Sequence, residues 1–339
     1  MNTKRLSLTA AVLAEDPALL QAAAILRRGG LVAFPTETVY GLGANALNPE
    51  AVEKIFAAKE RPHWDPVIVH VATVAAARAL THTWPPAAER LAAAFWPGPL
   101  TMLLPRNSRV PMLCTAGRDK VGLRMPSHPV ALALIAAAGV PIAAPSANRF
   151  GHTSPTSAAH VLADLDGRID AILEGGSCAV GLESTVLDPA SDPPMIYRPG
   201  GITAEQIRIV LGSVAVAERK IAEEVPPESL ESPGLGIRHY APRARVVLVD
   251  DEAELARALA LEAGANRVGV LLPSDWSPPQ QSVTVLPWAN WSDSAALAHD
   301  LYQQLRALDD LGVAVIICPL PPPEGIGLAI RDRLRKAAK

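Results

Sequence analysis

The sequence predicts an α/β protein of two domains, a larger twisted mixed sheet with flanking helices followed by a smaller, Rossmann-like domain. Three observations predict it. Short apolar runs alternate with amphipathic stretches over the first two thirds of the chain. The segment Glu223 to Pro242, with Pro226, Pro227, Pro233 and Pro242, then interrupts all periodicity. Beyond it strand-like and helix-like stretches alternate again, as parallel sheets require. At 339 residues the chain also exceeds what one core usually organises.

The elements follow in order. Lys4-Arg5 ahead of Leu6 to Ala14 leaves two readings, a short secretory signal interrupted by Ser7 and Thr9, or a first strand leading into a helix near Asp16. Leu20, Ala23, Ala24 and Leu26 suit a helix over 17–28 that Gly29-Gly30 ends before a strand at 31–34. Asn48 caps the next helix, Pro49 suits its first turn, and Val52, Ile55 and Phe56 form one stripe. Strands are expected at 67–71, 100–104, 121–124, 142–144, 184–187 and 195–197, with helices at 87–95, 129–138 and 157–165. Thr203 and Gln206 form a capping box for a last helix ending near Leu211. After the proline-rich linker, strands at 245–249, 268–272, 283–286 and 313–318 enclose helices at 252–263 and 294–308.

A net charge of −3 argues against a generally basic nucleic-acid binder, so any anion site must be local. Cys114, Cys178 and Cys318 lie far apart without a CxxC pair or histidines at zinc spacing, which supports neither a disulfide framework nor structural zinc. Reduced, intracellular thiols are the simplest reading. No apolar run reaches the roughly 20 residues of a membrane span.

Gly41-Leu42-Gly43-Ala44-Asn45-Ala46 fits the dinucleotide fingerprint G-x-G-x-x-G/A formally, but the glycines neither follow a strand directly nor open a helix. There is no P-loop, so phosphates must be held by side-chain cations and exposed amides. Lys59 and Arg61, between Gly43 and the strand at 67–71, are candidates; the alternative is that they merely complement a helix C-terminus. Arg124 closes its strand at a strand-to-helix junction and suits either a substrate carboxylate or an internal salt bridge. Ser146, Asn148 and Ser184-Thr185 also stand at strand ends, which points to one shared site, although each alone reads as a turn or cap residue. His70 reads as a satisfied core histidine. His152 and His160 do not make a helical metal pair, and Cys178 lacks a histidine base nearby in sequence.

Taken together, Pro35-Thr36-Glu37-Thr38-Val39-Tyr40-Gly41-Leu42, Lys59-x-Arg61, Ser146-x-Asn148, Glu183-Ser184-Thr185-Val186 and Tyr197-Arg198-Pro199-Gly200 resemble the YrdC-type threonylcarbamoyl-AMP synthases. Ser232-Pro233-Gly234 and Arg238-His239-Tyr240-Ala241-Pro242 extend the resemblance to the long, two-domain form of that family. It implies a YrdC-like catalytic domain over residues 8–211, a linker and active-site lid over 212–243, and the Rossmann-like domain over 244–339.

The implied activity makes threonylcarbamoyl-AMP and pyrophosphate from L-threonine, bicarbonate or CO2, and ATP accompanied by Mg²⁺. The product feeds t6A modification of tRNA through a downstream threonylcarbamoyl transferase complex. The resemblance further implies a cytoplasmic nucleotidyltransferase with no protein-bound metal, no membrane contact and no stable tRNA binding of its own. Carried over by position, Thr38, His70, Arg124, Ser184 and the Ala144 backbone surround threonine. Arg61, Asp65, Ser146, Ser154, Arg198 and Tyr240 contact the nucleotide, with Lys59 and Asn148 completing the two paired motifs. Lys59 and Arg61 are the catalytic cations. Asp65 and Lys120 depart from the family pattern, an asparagine and a threonine being common there, and Lys120 is expected to balance Asp65 beside the phosphates. Two competing functions are a non-catalytic RNA-binding or ribosome-assembly module, disfavoured by the acidic balance, and a carbamoyl-transferring relative, disfavoured by the lack of acylphosphatase and zinc-finger segments.

Overall fold

The computed structural model describes residues 2–9, 12–217, 240–262 and 267–339. Its first domain is a mixed sheet whose strands are β1 (Lys4–Ser7), β2 (Val32–Phe34), β3 (Gly41–Asn45), β4 (Val69–His70), β5 (Leu100–Pro105), β6 (Lys120–Arg124), β7 (Ile142–Ala143), β8 (Ala171–Glu174), β9 (Thr185–Asp188), β10 (Met195–Arg198) and β11 (Ala215–Val216). They lie in the order β1-β8-β2-β3-β7-β4-β6-β5-β9-β10-β11. β1 and β11 extend this sheet at both ends beyond the expected 8–211, so the strand reading of Lys4–Ser7 is the one realised.

Sequence reasoning missed β3 and β8. β3 has two glycines in five residues, which depresses strand propensity. The glycines are there for space. A Cβ on Gly43 would lie 2.8 Å from the Phe34 ring and 2.9 Å from Ile142, so only glycine lets this central strand run antiparallel to β2 and pair with β7. The fingerprint-like glycines are therefore strand residues, not a dinucleotide turn.

The expected helix starts are observed. Asp16 accepts from the amides of Ala18 and Leu19 to cap Pro17–Arg27, and Asn48 does the same for Glu50 and Ala51 ahead of Pro49–Lys59. The Thr203–Gln206 capping box is complete before Ala204–Leu211.

The second domain is a parallel sheet of β12 (Arg245–Val249), β13 (Val268–Pro273), β14 (Thr284–Trp288) and β15 (Val315–Pro319), ordered β12-β15-β13-β14. Its last helix, Ile326–Ala337, was not expected from the sequence, because the buried face carries Arg333 and Lys336 among Ala329, Ile330 and Leu334 and so breaks the apolar period.

One apolar cluster spans both domains. Val39, Leu182 and Tyr240 pack with Leu297, Leu301, Tyr302 and Ile330. Gly181 marks a close approach: its φ is +74°, and a Cβ there would lie 2.5 Å from the backbone of His299 in the helix Ser294–Asp310. Among the described residues no helix is long and apolar enough to cross a membrane.

Candidate active site

Strand ends and the loops beyond them converge on a cavity of about 510 Å³, a figure that includes space open to solvent. Its wall holds Thr36, Thr38, Val39, Gly41, Arg61, Ile68, His70, Arg124, Ala144, Pro145, Ser146, Glu183, Ser184, Arg198 and Tyr240. Three of these are buried arginines, and Glu183 is the only carboxylate among them. In a chain of net charge −3 this is a local reversal of sign.

The loop from Pro35 to Tyr40 is fixed by its own hydroxyl. Thr36 Oγ1 donates to the Val39 carbonyl at 2.7 Å and accepts from the amides of Thr38 (3.2 Å) and Val39 (3.3 Å). Thr38 Oγ1 lies 2.8 Å from it. The loop is tied to the one bearing Ser146, since Leu42 donates to the Pro145 carbonyl and Ala147 to the Tyr40 carbonyl, both at 2.8 Å.

His70 and Arg124 are register partners at the ends of the parallel strands β4 and β6, which sets them side by side. Burial, reinforced by the Arg124 charge, depresses the His70 pKa to about 3, so the ring is neutral, and its Nδ1 has no hydrogen-bond partner among the described residues. Arg124 Nη2 lies 2.8 Å from Glu37 Oε1 in an ionic contact without aligned hydrogen-bond geometry, and its Nε has no hydrogen-bond partner among the described residues. The internal salt bridge and the cavity-lining position are thus both real. Ala144 sits beside them, its amide bound to the Ile68 carbonyl at 2.8 Å.

Ser184 and Arg198 form a second rigid unit. Arg198 Nε and Nη2 donate to the Ser184 carbonyl at 3.1 and 3.0 Å, Nη2 reaches Ser184 Oγ at 3.2 Å, and that hydroxyl lies 2.8 Å from Thr101 Oγ1. The motif Arg198-Pro199-Gly200 needs its glycine because a Cβ there would lie 2.4 Å from the Glu183 carbonyl and the Thr185 amide.

Lys59 and Arg61 part company. Glu60 between them is left-handed, with φ 56°, so the two side chains leave the helix end differently. Arg61 lines the cavity, its guanidinium braced by the carbonyls of Asp65 (3.0 Å) and Pro66 (2.6 Å) and paired with Asp65 Oδ2 at 3.0 Å. Lys59 does not line it. It is 1 % exposed and donates to the carbonyls of Ser146, at 2.6 Å, and Asn148. Burial first, then Arg61, lowers its pKa well below the usual lysine value.

Other expected site residues also stand behind the wall. Asp65 is the counter-ion of Arg61. Asn148 Nδ2 holds the loop through the carbonyls of Arg149 and His152, both at 2.8 Å. Ser154 donates to Glu183 Oε1 at 2.5 Å. Lys120 starts β6 and pairs with Asp188, while the charge that faces Asp65 is that of Arg61. Sequence reasoning missed Glu183 as a wall residue, although its motif was visible, and also missed Thr36, Val39, Gly41, Ile68 and Pro145.

Tyr240 forms part of the wall with φ 63°, its ring stacked on Tyr302 at 6.0 Å and under the Arg333 guanidinium at 5.0 Å. Ser232-Pro233-Gly234 and Arg238-His239 lie outside the described residues. Cysteine chemistry is disfavoured, since burial pushes the thiols of Cys114, Cys178 and Cys318 up to about 12.

Among the described residues no three His, Cys, Asp or Glu side chains group as a metal site. The acids at the cavity, Glu37, Asp65 and Glu183, are each engaged by an arginine. The donor set does not fit a resident cation.

Comparisons with known proteins agree with this architecture. The family described as "Telomere recombination", that of the Sua5, YciO and YrdC proteins, matches residues 24–200. The "Threonylcarbamoyl-AMP synthase, C-terminal domain" family matches residues 202–339. A threonylcarbamoyl-AMP synthase of Bacillus subtilis is 45% identical over 100% of this chain and 98% of its own length. The solved structure of P. abyssi Sua5 complexed with L-threonine is 39% identical, with a TM-score of 0.90 over 99% of this chain and 98% of that one. A shorter relative, a putative threonylcarbamoyl-AMP synthase of Mycobacterium tuberculosis, is 34% identical over 57% of this chain and 89% of its own length.

Proposed function

The chain belongs to the Sua5, YciO and YrdC family in its two-domain form, and on that premise we propose that it is an L-threonylcarbamoyl-AMP synthase, a nucleotidyltransferase consuming L-threonine, bicarbonate and ATP. The observation that carries the reading is the convergence of three buried guanidiniums, Arg61, Arg124 and Arg198, on one cavity of small-molecule size. One of them can take a carboxylate while the others face a triphosphate.

Arg124 meets the threonine carboxylate with its fork, next to the neutral His70, which offers a hydrogen bond in place of a second charge. Thr38, Ser184 and the Ala144 backbone complete this end. Arg61 and Arg198 offset the phosphates, with Ser146 and Tyr240 bordering the nucleotide. Lys59, Asn148 and Ser154 act from behind by fixing the loop that bears Ser146 and the carboxylate of Glu183. Mg²⁺ arrives on the phosphates as part of the substrate.

The threonine nitrogen bonds to the carbon of CO2, or of bicarbonate with loss of water, and gives up a proton to form a carbamate. A carbamate oxygen then bonds to the α-phosphorus as its bond to the bridging oxygen breaks, and pyrophosphate leaves. Such a transfer needs positioning and charge neutralisation more than covalent help, which is what braced arginines provide. The product passes to a separate transferase complex that modifies tRNA, in the cytoplasm and without stable tRNA binding by this chain.

Mass spectrometry of nucleotides after incubation with ATP, L-threonine and bicarbonate tests the proposal. It predicts the mass of threonylcarbamoyl-AMP, with the bicarbonate carbon incorporated when labelled. AMP or ADP as the sole new nucleotide would refute it.

A further inference from the structure

We infer that the second domain completes the cavity through a positioning residue, Arg333, which neutralises Glu183 in the wall and so makes that wall fit for a polyanion. The inference rests on the function proposed above and assigns the second domain a task within it.

Glu183 is 6 % exposed, and an unpaired carboxylate there would both resist burial and repel a triphosphate. Its two oxygens are fully engaged. Oε1 accepts from Ser154 at 2.5 Å and Tyr302 at 3.1 Å, and Oε2 accepts from Tyr302 at 2.9 Å and Arg333 Nε at 2.7 Å. Tyr302 and Arg333 both belong to the second domain, on helices Ser294–Asp310 and Ile326–Ala337. Burial alone would raise the Glu183 pKa, yet Arg333 and then Arg198 hold its carboxyl below the usual range.

Arg333 is buried and held in place for this task. It is 1 % exposed, its Nη2 donates to the Pro199 carbonyl at 3.0 Å beside Arg198, and its guanidinium lies over the Tyr240 ring. Asp332 binds Arg333 Nη1 at 2.6 Å and Lys336 at 2.7 Å. Glu183, Asp332, Arg333 and Lys336 thus form a charge-balanced cluster behind the wall. The threonine end, built from Thr38, His70, Arg124 and Ala144, has no such bond to the second domain among the described residues.

The test is calorimetric titration of the full chain with ATP and, separately, with L-threonine, together with thermal melting. Arg333→Met should weaken ATP binding about tenfold or more through the uncompensated carboxylate, with threonine affinity unchanged. Arg333→Lys should lie between the two. The pair Arg333→Met with Glu183→Gln, which leaves no unpaired charge on Glu183, should restore ATP affinity to within about threefold of wild type. A purely structural role would lower the melting temperature and both affinities together. Folded Arg333→Met with wild-type ATP affinity overturns the inference, as does a folded double variant that binds ATP no better than one-tenth as tightly as wild type. The double variant decides the matter if Arg333→Met does not fold. Wild-type protein that binds no ATP would overturn the proposed function and the inference together.

Discussion

The two ends of the cavity are built by different means. At the end proposed for threonine, neighbouring strands of one sheet place His70 beside Arg124, and the Thr36 turn fixes Thr38, so backbone register does most of the positioning. At the end proposed for the nucleotide, Arg61 and Glu183 are held in ion pairs with Asp65 and the second domain's Arg333, and Arg198 is braced by the Ser184 carbonyl. Removing one charge of a buried pair alone should be disruptive at either end, and the end proposed for the nucleotide holds two such pairs, Arg61 with Asp65 and Glu183 with Arg333, against Arg124 with Glu37 at the other.

The largest effect is therefore expected at Arg61. Arg61→Ala strands the buried Asp65, so its lost activity would mix with lost stability. Combining Arg61→Gln with Asp65→Asn removes both charges and should keep the fold while turnover falls roughly a hundredfold, about 3 kcal/mol of transition-state stabilisation. Near-normal turnover in that folded variant would remove Arg61 from the phosphate end.

Lys59→Met sharpens the contrast two residues away. It leaves the Ser146 and Asn148 carbonyls without their shared donor, so stability should fall by ~1–3 kcal/mol, while turnover per folded molecule falls less than in the Arg61 and Asp65 variant. Urea unfolding beside active-site-normalised rates would decide this, and an equal loss of rate at full stability would return Lys59 to the cavity.

A smaller and one-sided effect is expected at the register-built end. Arg124→Lys keeps the charge that faces Glu37 but loses the fork, so the KM for threonine should rise while that for ATP stays close to wild type. Parallel rises in both would merge the two ends. Smallest of all for catalysis, Lys120→Ala removes a 40 % exposed side chain paired with the buried Asp188 and should lower stability with no change in either KM.

Legibility in the sequence follows the same division. Strand ends, caps and the shared site at Arg124, Ser146 and Ser184 were readable because they depend on local patterns of apolar runs, proline, glycine and hydroxyls. The strand Gly41–Asn45 was not, since its glycines reflect what a neighbouring ring and strand leave room for. The division of labour between Lys59 and Arg61 was hidden in the left-handed φ of Glu60. Lys120 was read by its place in the family pattern, and its pairing with Asp188, 68 residues on, is a tertiary contact that the pattern does not show. Glu183 was quoted only as part of a motif, because its meaning depends on Tyr302 and Arg333, more than a hundred residues away. Arg333 itself sits on a helix whose buried cations disguise its period.

In the proposed function one cavity joins the chemistry of its two ends. Pyrophosphate release from ATP, followed with L-threonine and bicarbonate added singly and together, tests it most directly. Release should require both, and L-serine should substitute only weakly, since a methyl-sized contact discriminates by ~1–3 kcal/mol. Release at the same rate with no amino acid present would contradict the account.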